Sequence, residues 1–232
     1  MELDIRGFAA EALGTFLLTM TVGLSAGEPL AVGGILWLGM CITCFRSGAQ
    51  FNPAVTLSVL TRNLLEGKLE KNQLITLLIN IPVQISAGIL AGMVAWGIGK
   101  YTFFFEITED VKLSQAFFCE LLFTMLLCMN VHMAGRATRG LFLEGGMIAM
   151  TLGTCAFTVG HITRNCVNPA VELGLGIANY ANTDDKMKKA WIYIIAPILG
   201  GACAAGVSKF RARYHKRRHS ASLNFSLMVT RH

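Results

Sequence analysis

The sequence predicts an all-α membrane protein with six transmembrane helices plus two re-entrant half-helices, arranged as an inverted repeat. Three observations predict it. First, 53% of the 232 residues are hydrophobic and 15% are charged, with a mean hydropathy of +0.54, outside the range of soluble domains. Second, apolar stretches at about 7–26, 30–45, 73–98, 114–134, 141–162 and 190–208 are long enough to cross roughly 30 Å of hydrocarbon at about 1.5 Å per residue. Third, the triplet Asn-Pro-Ala occurs twice, at Asn52-Pro53-Ala54 and Asn168-Pro169-Ala170.

The first apolar stretch is read as a retained helix, because "MELDIRG" sets Glu2 and Asp4 against Arg6 and lacks the positive leading region of a signal peptide. A basic tail, "KFRARYHKRRH" at 209–219, follows the last stretch and supplies much of the net charge of +6. Cations directly after a membrane span mark a cytoplasmic membrane surface more often than a nucleic-acid site. With both termini in the cytoplasm, only Lys100, Lys112, Arg164, Lys186, Lys188 and Lys189 remain outside. This satisfies the positive-inside rule. The expected organisation is a membrane domain over 1–208 and a cytoplasmic tail over 209–232, the domain comprising repeats at about 7–99 and 114–208.

The repeat is visible in the residues. "EALGTFLLTMTVGLSAG" opens at Glu11 and "ELLFTMLLCMNVHMAG" at Glu120, each glutamate followed four residues later by Thr. A triplet follows each glutamate, and "KYTFFFEITEDVK" at 100–112 joins the halves. Three spans per half is an odd number, so the second half enters the membrane from the opposite side. Such inverted repeats put functional elements near the bilayer midplane and point to transport.

Asn is a strong N-cap and Pro suits the first helical turn, where its missing N–H would have no partner anyway. Each triplet therefore starts a helix, expected to run about two or three turns through "AVTLSVLTRNLL" or "AVELGLGIANYA" before polar residues intervene. A helix that begins inside the membrane is tolerated only where its start is buried in protein or lines a wet cavity. Two such helices of opposite direction would meet tip to tip, bringing Asn52, Asn168 and two positive dipole ends to one point. Water there could accept hydrogen bonds from both amides, and the dipole ends would oppose cations. Glu11 and Glu120, costly in hydrocarbon when unpaired, are expected to brace the two loops by accepting backbone N–H bonds. A surface turn accounts equally well for one isolated triplet, but poorly for two in matching contexts.

Other features have plainer readings. The seven cysteines (Cys41, Cys44, Cys119, Cys128, Cys155, Cys166 and Cys203) lie almost entirely in apolar runs and are read as packing residues, the Cys41-x-x-Cys44 spacing included. His132 on an apolar helix is read as a satisfied buried histidine. "MNVHM" is read as packing, and Asp184 and Asp185 with Lys186, Lys188 and Lys189 as a solvated loop. No P-loop, zinc-protease motif or nucleophile elbow is present. Neither an enzyme nor a cofactor or metal is expected, and no nucleic-acid partner.

The sequence resembles the aquaporin, or major intrinsic protein, family. "AAEALGTFLL", "SGAQFNPAVTL", "QISAGILAG", "CELLFTMLL", "CVNPAVELG" and "WIYIIAPILGG" occur in the family's order and spacing. The resemblance implies six tilted helices and two half-helices around one pore per subunit, usually in a homotetramer. It also implies an outer constriction with an aromatic residue, a His or small residue, and an Arg directly after the second triplet. Here the Arg position is Val171, and ungapped counting puts the others at Val32, Ala156 and Asn165. A wider, less cationic constriction is expected, as in vacuolar plant members with Val at that position, which often pass small neutral solutes. Arg164, four residues before Asn168, either swings into the vacated space, or bonds loop carbonyls or faces the outer solvent. His161 either lines the vestibule or caps its helix.

The function expected is a passive channel for water and small uncharged solutes. A non-conducting structural or adhesion protein of the same fold is the alternative. A coupled transporter is a third, and would need an acidic ion site in the pore. Ser220, after Arg217 and Arg218, has spacing that suits basophilic kinases, though such short motifs also arise by chance.

Overall fold

The computed structural model describes residues 4–43, 46–100, 103–134, 140–183 and 187–229, with side chains to 181 and from 187 to 214 in the last two segments. Cys44, Arg136, Arg139, Asp184, Asp185 and Lys186, and the side chains of Arg217, Arg218 and Ser220, lie outside the described residues. Eight α-helices follow in order: α1 (Ile5–Leu24), α2 (Pro29–Thr43), α3 (Pro53–Glu66), α4 (Lys71–Gly99), α5 (Leu113–Ala134), α6 (Leu141–Thr163), α7 (Pro169–Thr183) and α8 (Ala190–Val229). Among the described residues α1, α4, α5, α6 and α8 are long and apolar enough to cross a membrane; α2 is apolar but has 15 residues.

The first four helices and the last four correspond one to one, and the packing repeats with them. α1 packs on α4 as α5 packs on α8, and α2 faces α6 across the molecule. The half-helices cross over: α7 lies against α4, and α3 against α8. Each half therefore completes the other's core.

Small residues make these crossings close. A Cβ on Gly92 of α4 would lie 2.1 Å from the Gly174 carbonyl oxygen of α7, and one on Gly174 would lie 2.3 Å from the Gly88 oxygen. A polar cluster ties the other crossing: His132 of α5 bonds Ser208 of α8 through Nδ1 at 2.8 Å and Ser58 of α3 through Nε2 at 3.1 Å. Ser58 Oγ also donates to the Gly201 carbonyl at 2.6 Å. His132 is thus a buried, satisfied histidine.

One expectation changes. α3 has 14 residues and α7 has 15, about four turns at 3.6 residues each rather than two or three. The polar residues read as their ends, such as Asn63 and Asn179, are buried within the helices, and α3 stops instead at Gly67, in the left-handed conformation. At about 1.5 Å per residue neither helix reaches across roughly 30 Å of hydrocarbon. α8 runs unbroken through residue 208 to Val229 and so carries the basic tail as helix. At 40 residues it is roughly 60 Å long, so it projects well beyond the hydrocarbon.

Candidate functional site

The loops that lead into α3 and α7 have matching backbones. Ala49 and Phe51 precede Asn52 with positive φ, and Asn165 and Val167 precede Asn168 with positive φ, at the same offsets from the cap. Non-glycine residues adopt this region at a cost and keep it only where the surroundings over-determine it. The two glutamates supply that constraint. Glu11 accepts from the N–H of Gln50 at 3.0 Å and of Phe51 at 2.9 Å, and from Gln84 Nε2 at 3.0 Å. Glu120 accepts from the N–H of Cys166 at 3.1 Å and of Val167 at 2.8 Å, and from Thr163 Oγ1 at 2.6 Å. Both carboxylates are fully enclosed. Charge-assisted bonds of this kind contribute about 1.5–3 kcal/mol each.

The caps are equally symmetric. Asn52 Oδ1 accepts from Ala54 N at 2.9 Å, and Asn168 Oδ1 from Ala170 N at 3.0 Å. Each amide nitrogen then donates across the molecule: Asn52 Nδ2 to the Val167 carbonyl and Asn168 Nδ2 to the Phe51 carbonyl, both at 2.9 Å. A carboxamide has two N–H donors, so each asparagine has a second one. Both asparagines line one cavity of about 510 Å³. The N-termini of α3 and α7 meet there, each worth about half a positive charge.

The cavity extends from Arg62, Thr76 and Asn80 at one end to Phe105 and Arg164 at the other. Its wall is otherwise mostly aliphatic. Val32, Ala156, Asn165 and Val171 all contribute to it. Pro53, Pro169, Ala54 and Ala170 are the buried first residues of the two half-helices. Beyond Arg164 lies a vestibule of about 650 Å³ that includes Glu28, Glu106, Glu109 and His161. α6 ends at Thr163 with Arg164 as its C-cap, and His161 lies in its last turn. Arg164 borders both the cavity and the vestibule with its side chain partly exposed, its guanidinium pairing with Glu106 and lying over the Phe103 ring, 5.2 Å from the centroid.

Several residues of this arrangement escaped sequence reasoning. Gln84 carried a signal, as a polar side chain inside an apolar span, but nothing in the sequence named Glu11 as its partner. Phe105 and Glu106 carried none, because the joining segment has no periodicity. Among the described residues no group of three or more His, Cys, Asp or Glu could hold a metal ion.

The family model for the major intrinsic proteins matches residues 3–207. The chain belongs to the major intrinsic protein family. Proteins of this family are channels and not enzymes, so the chain is an integral, multi-pass membrane channel. Among its relatives, "Glycerol uptake facilitator protein-like 6" of Lactiplantibacillus plantarum is 28% identical over 210 residues, spanning 87% of this chain and 95% of that protein. "Aquaporin Z" of Bradyrhizobium diazoefficiens is 26% identical, spanning 86% of this chain and 90% of that protein. The solved structure of the aquaglyceroporin from Plasmodium falciparum superposes with a TM-score of 0.76 at 19% identity, covering 89% of this chain and 96% of that one. That likeness establishes the major intrinsic protein fold.

Proposed function

We propose that this major intrinsic protein is a passive channel for water and small uncharged solutes, driven by the solute's own gradient and excluding ions and protons at the junction of α3 and α7. The observation that carries this reading is the reciprocal pair of amide bonds, which fixes both asparagines and leaves each a second N–H donor beside the cavity. A solute oxygen can accept there, while two helix N-termini disfavour a cation. Relatives named for glycerol uptake and as aquaporins support the same solute range. Glu11 and Glu120, each buried and accepting from three donors, are braces in this reading rather than sites for a coupling ion. The positive-inside rule supports cytoplasmic termini, and the family resemblance supports a homotetramer in the lipid bilayer.

Swelling of proteoliposomes in an osmotic gradient tests conduction, since a non-conducting scaffold leaves the rate at the lipid baseline. Asn168→Asp and Asn52→Asp are each expected to lower water flux and raise membrane conductance. The carboxylate cannot donate to the facing carbonyl, which removes a bond worth about 0.5–1.5 kcal/mol and sets negative charge at the dipole junction. Unchanged flux and conductance in both variants would count against a pore at the triplets.

Val171→Arg is expected to depress glycerol flux about tenfold more than water flux, equivalent to roughly 1.4 kcal/mol of added barrier. Val171 is 2% exposed and lines the cavity, so a guanidinium there takes up width and adds fixed charge. Glycerol and water fluxes measured on one vesicle preparation give the ratio; an unaltered ratio would remove Val171 from the constriction.

A further inference from the structure

α4 is apolar enough to cross the membrane, yet it carries Gln73, Thr76, Asn80 and Gln84. Steps of three or four residues put these side chains on one face of the helix. Exposure falls along the stripe: Gln73 is exposed, Thr76 half-buried, Asn80 3% exposed and Gln84 fully enclosed. Gln73, Thr76 and Asn80 line the pore cavity at the end away from the vestibule. Gln84, one turn further on, belongs to the brace, donating from Nε2 to Glu11 at 3.0 Å and to Thr56 Oγ1 at 2.9 Å.

Asn80 has no such engagement. Its Oδ1 is buried and meets no hydrogen-bond partner among the described residues. Arg62, at the same end of the cavity, bonds Asn63 and the His132 carbonyl. Much of the remaining wall, including Val55, Val59, Leu77 and Val131, is aliphatic and has no side-chain donor. A buried acceptor without a donor bears its full desolvation cost, so an occupant of the cavity is what can complete it. The junction of α3 and α7 has the opposite character. The oxygens of Asn52 and Asn168 are bonded to the Ala54 and Ala170 N–H groups, which leaves spare donors there, whereas Asn80 has a spare acceptor.

We propose that Asn80 is a solute-binding station in this half of the pore, suited to urea and other small amides. A carboxamide has one acceptor oxygen and two N–H donors, so it can exchange two parallel bonds with another amide. An amide that sheds water to pass an aliphatic wall recovers hydrogen bonds at Asn80, and a single uncharged station lets it leave again. Glycerol, whose hydroxyls are not set side by side as in an amide, matches the pair less well. Such a station presupposes the channel reading above and adds a solute class to it.

The test uses the full chain in proteoliposomes, with water, urea and glycerol permeabilities measured on one preparation. Asn80→Leu is expected to lower the urea-to-water ratio about tenfold, equivalent to roughly 1.4 kcal/mol of added barrier, and the glycerol-to-water ratio less. Its thermal stability in detergent is expected to hold, because an apolar side chain of similar size removes an orphaned acceptor. Asn80→Ala separates hydrogen bonding from width: a station loses urea flux with the amide, whereas a mere narrowing gains it when the side chain is cut back. Asn80→Gln keeps a carboxamide and is expected to lie between the parent and Asn80→Leu. Ser86→Ala, at an exposed position on another face of α4, is the unaltered control. Where Asn80→Leu is not recovered as folded protein, Asn80→Ala and Asn80→Gln decide. A parent that passes water but excludes urea, or a urea-to-water ratio unchanged or raised in the folded Asn80 variants, overturns this proposal alone. An equal fall in the urea and glycerol ratios overturns the preference for amides. A parent that passes neither water nor solute overturns the channel reading as well.

Discussion

Glu120→Ala is expected to bring osmotic water permeability down to the lipid baseline and to reduce the yield of monodisperse protein. The substitution strands three buried donors, the N–H groups of Cys166 and Val167 and the hydroxyl of Thr163, at about 1–3 kcal/mol each. It also removes what holds Asn165 and Val167 at positive φ, so the loop relaxes. The Val167 carbonyl then leaves the Asn52 amide, and damage in one half reaches the other. Glu120→Gln is expected to be milder, since it keeps one acceptor oxygen but points an NH2 at a backbone donor. Glu11→Ala should match Glu120→Ala, and Glu109→Ala, exposed on the joining segment, should behave as the parent. Stopped-flow light scattering with size-exclusion profiles measures both effects. A Glu120→Ala protein that folds and conducts normally would contradict the bracing geometry.

Gly92→Ala carries the second large effect. Its Cβ would approach the Gly174 carbonyl oxygen to 2.1 Å, and the obstacle is backbone that no side-chain rotation can clear. α4 and α7 must separate, carrying Asn168 away from the Phe51 carbonyl. Overpacking of this kind costs about 1–3 kcal/mol or more, and both flux and thermal stability in detergent are expected to fall. Gly97→Ala is the internal comparison. It lies five residues later in the same helix, where a Cβ meets nothing within 4 Å, so the substitution is expected to stabilise by about 0.5–1 kcal/mol. Equal melting temperatures for the two variants would show that the α4–α7 crossing yields more easily than its distances imply.

The helices and their order were legible because apolar length and Asn-Pro caps act locally. Glu11 and Glu120 attracted attention for a similar reason: a carboxylate in hydrocarbon needs donors wherever they come from. The extent of α3 and α7 was not legible in this way. Asn63 and Asn179 look like helix ends in a sequence, but burial against other helices lets polar residues continue a helix. Arg164 could be located near the mouth by counting from Asn168, yet its partner lies 58 residues away in an aperiodic segment. Phe105 is hidden more completely, since nothing about Phe103-Phe104-Phe105 says which ring turns toward the pore.

The crossed amide bonds have a consequence for the order in which the chain is made. When residues 1–99 leave the ribosome, Glu11 can already receive Gln50, Phe51 and Gln84, but the acceptor of the Asn52 amide, Val167, does not yet exist. α3 lacks α8, and α4 lacks α7. The first half must therefore wait in the bilayer with one half-helix seated on one side only and a polar amide unsatisfied. Its own brace keeps that half-helix in position through the synthesis of α5 and α6. The pore closes up only when α7 and then α8 arrive, so the last helix translated is the one that locks the first triplet in place.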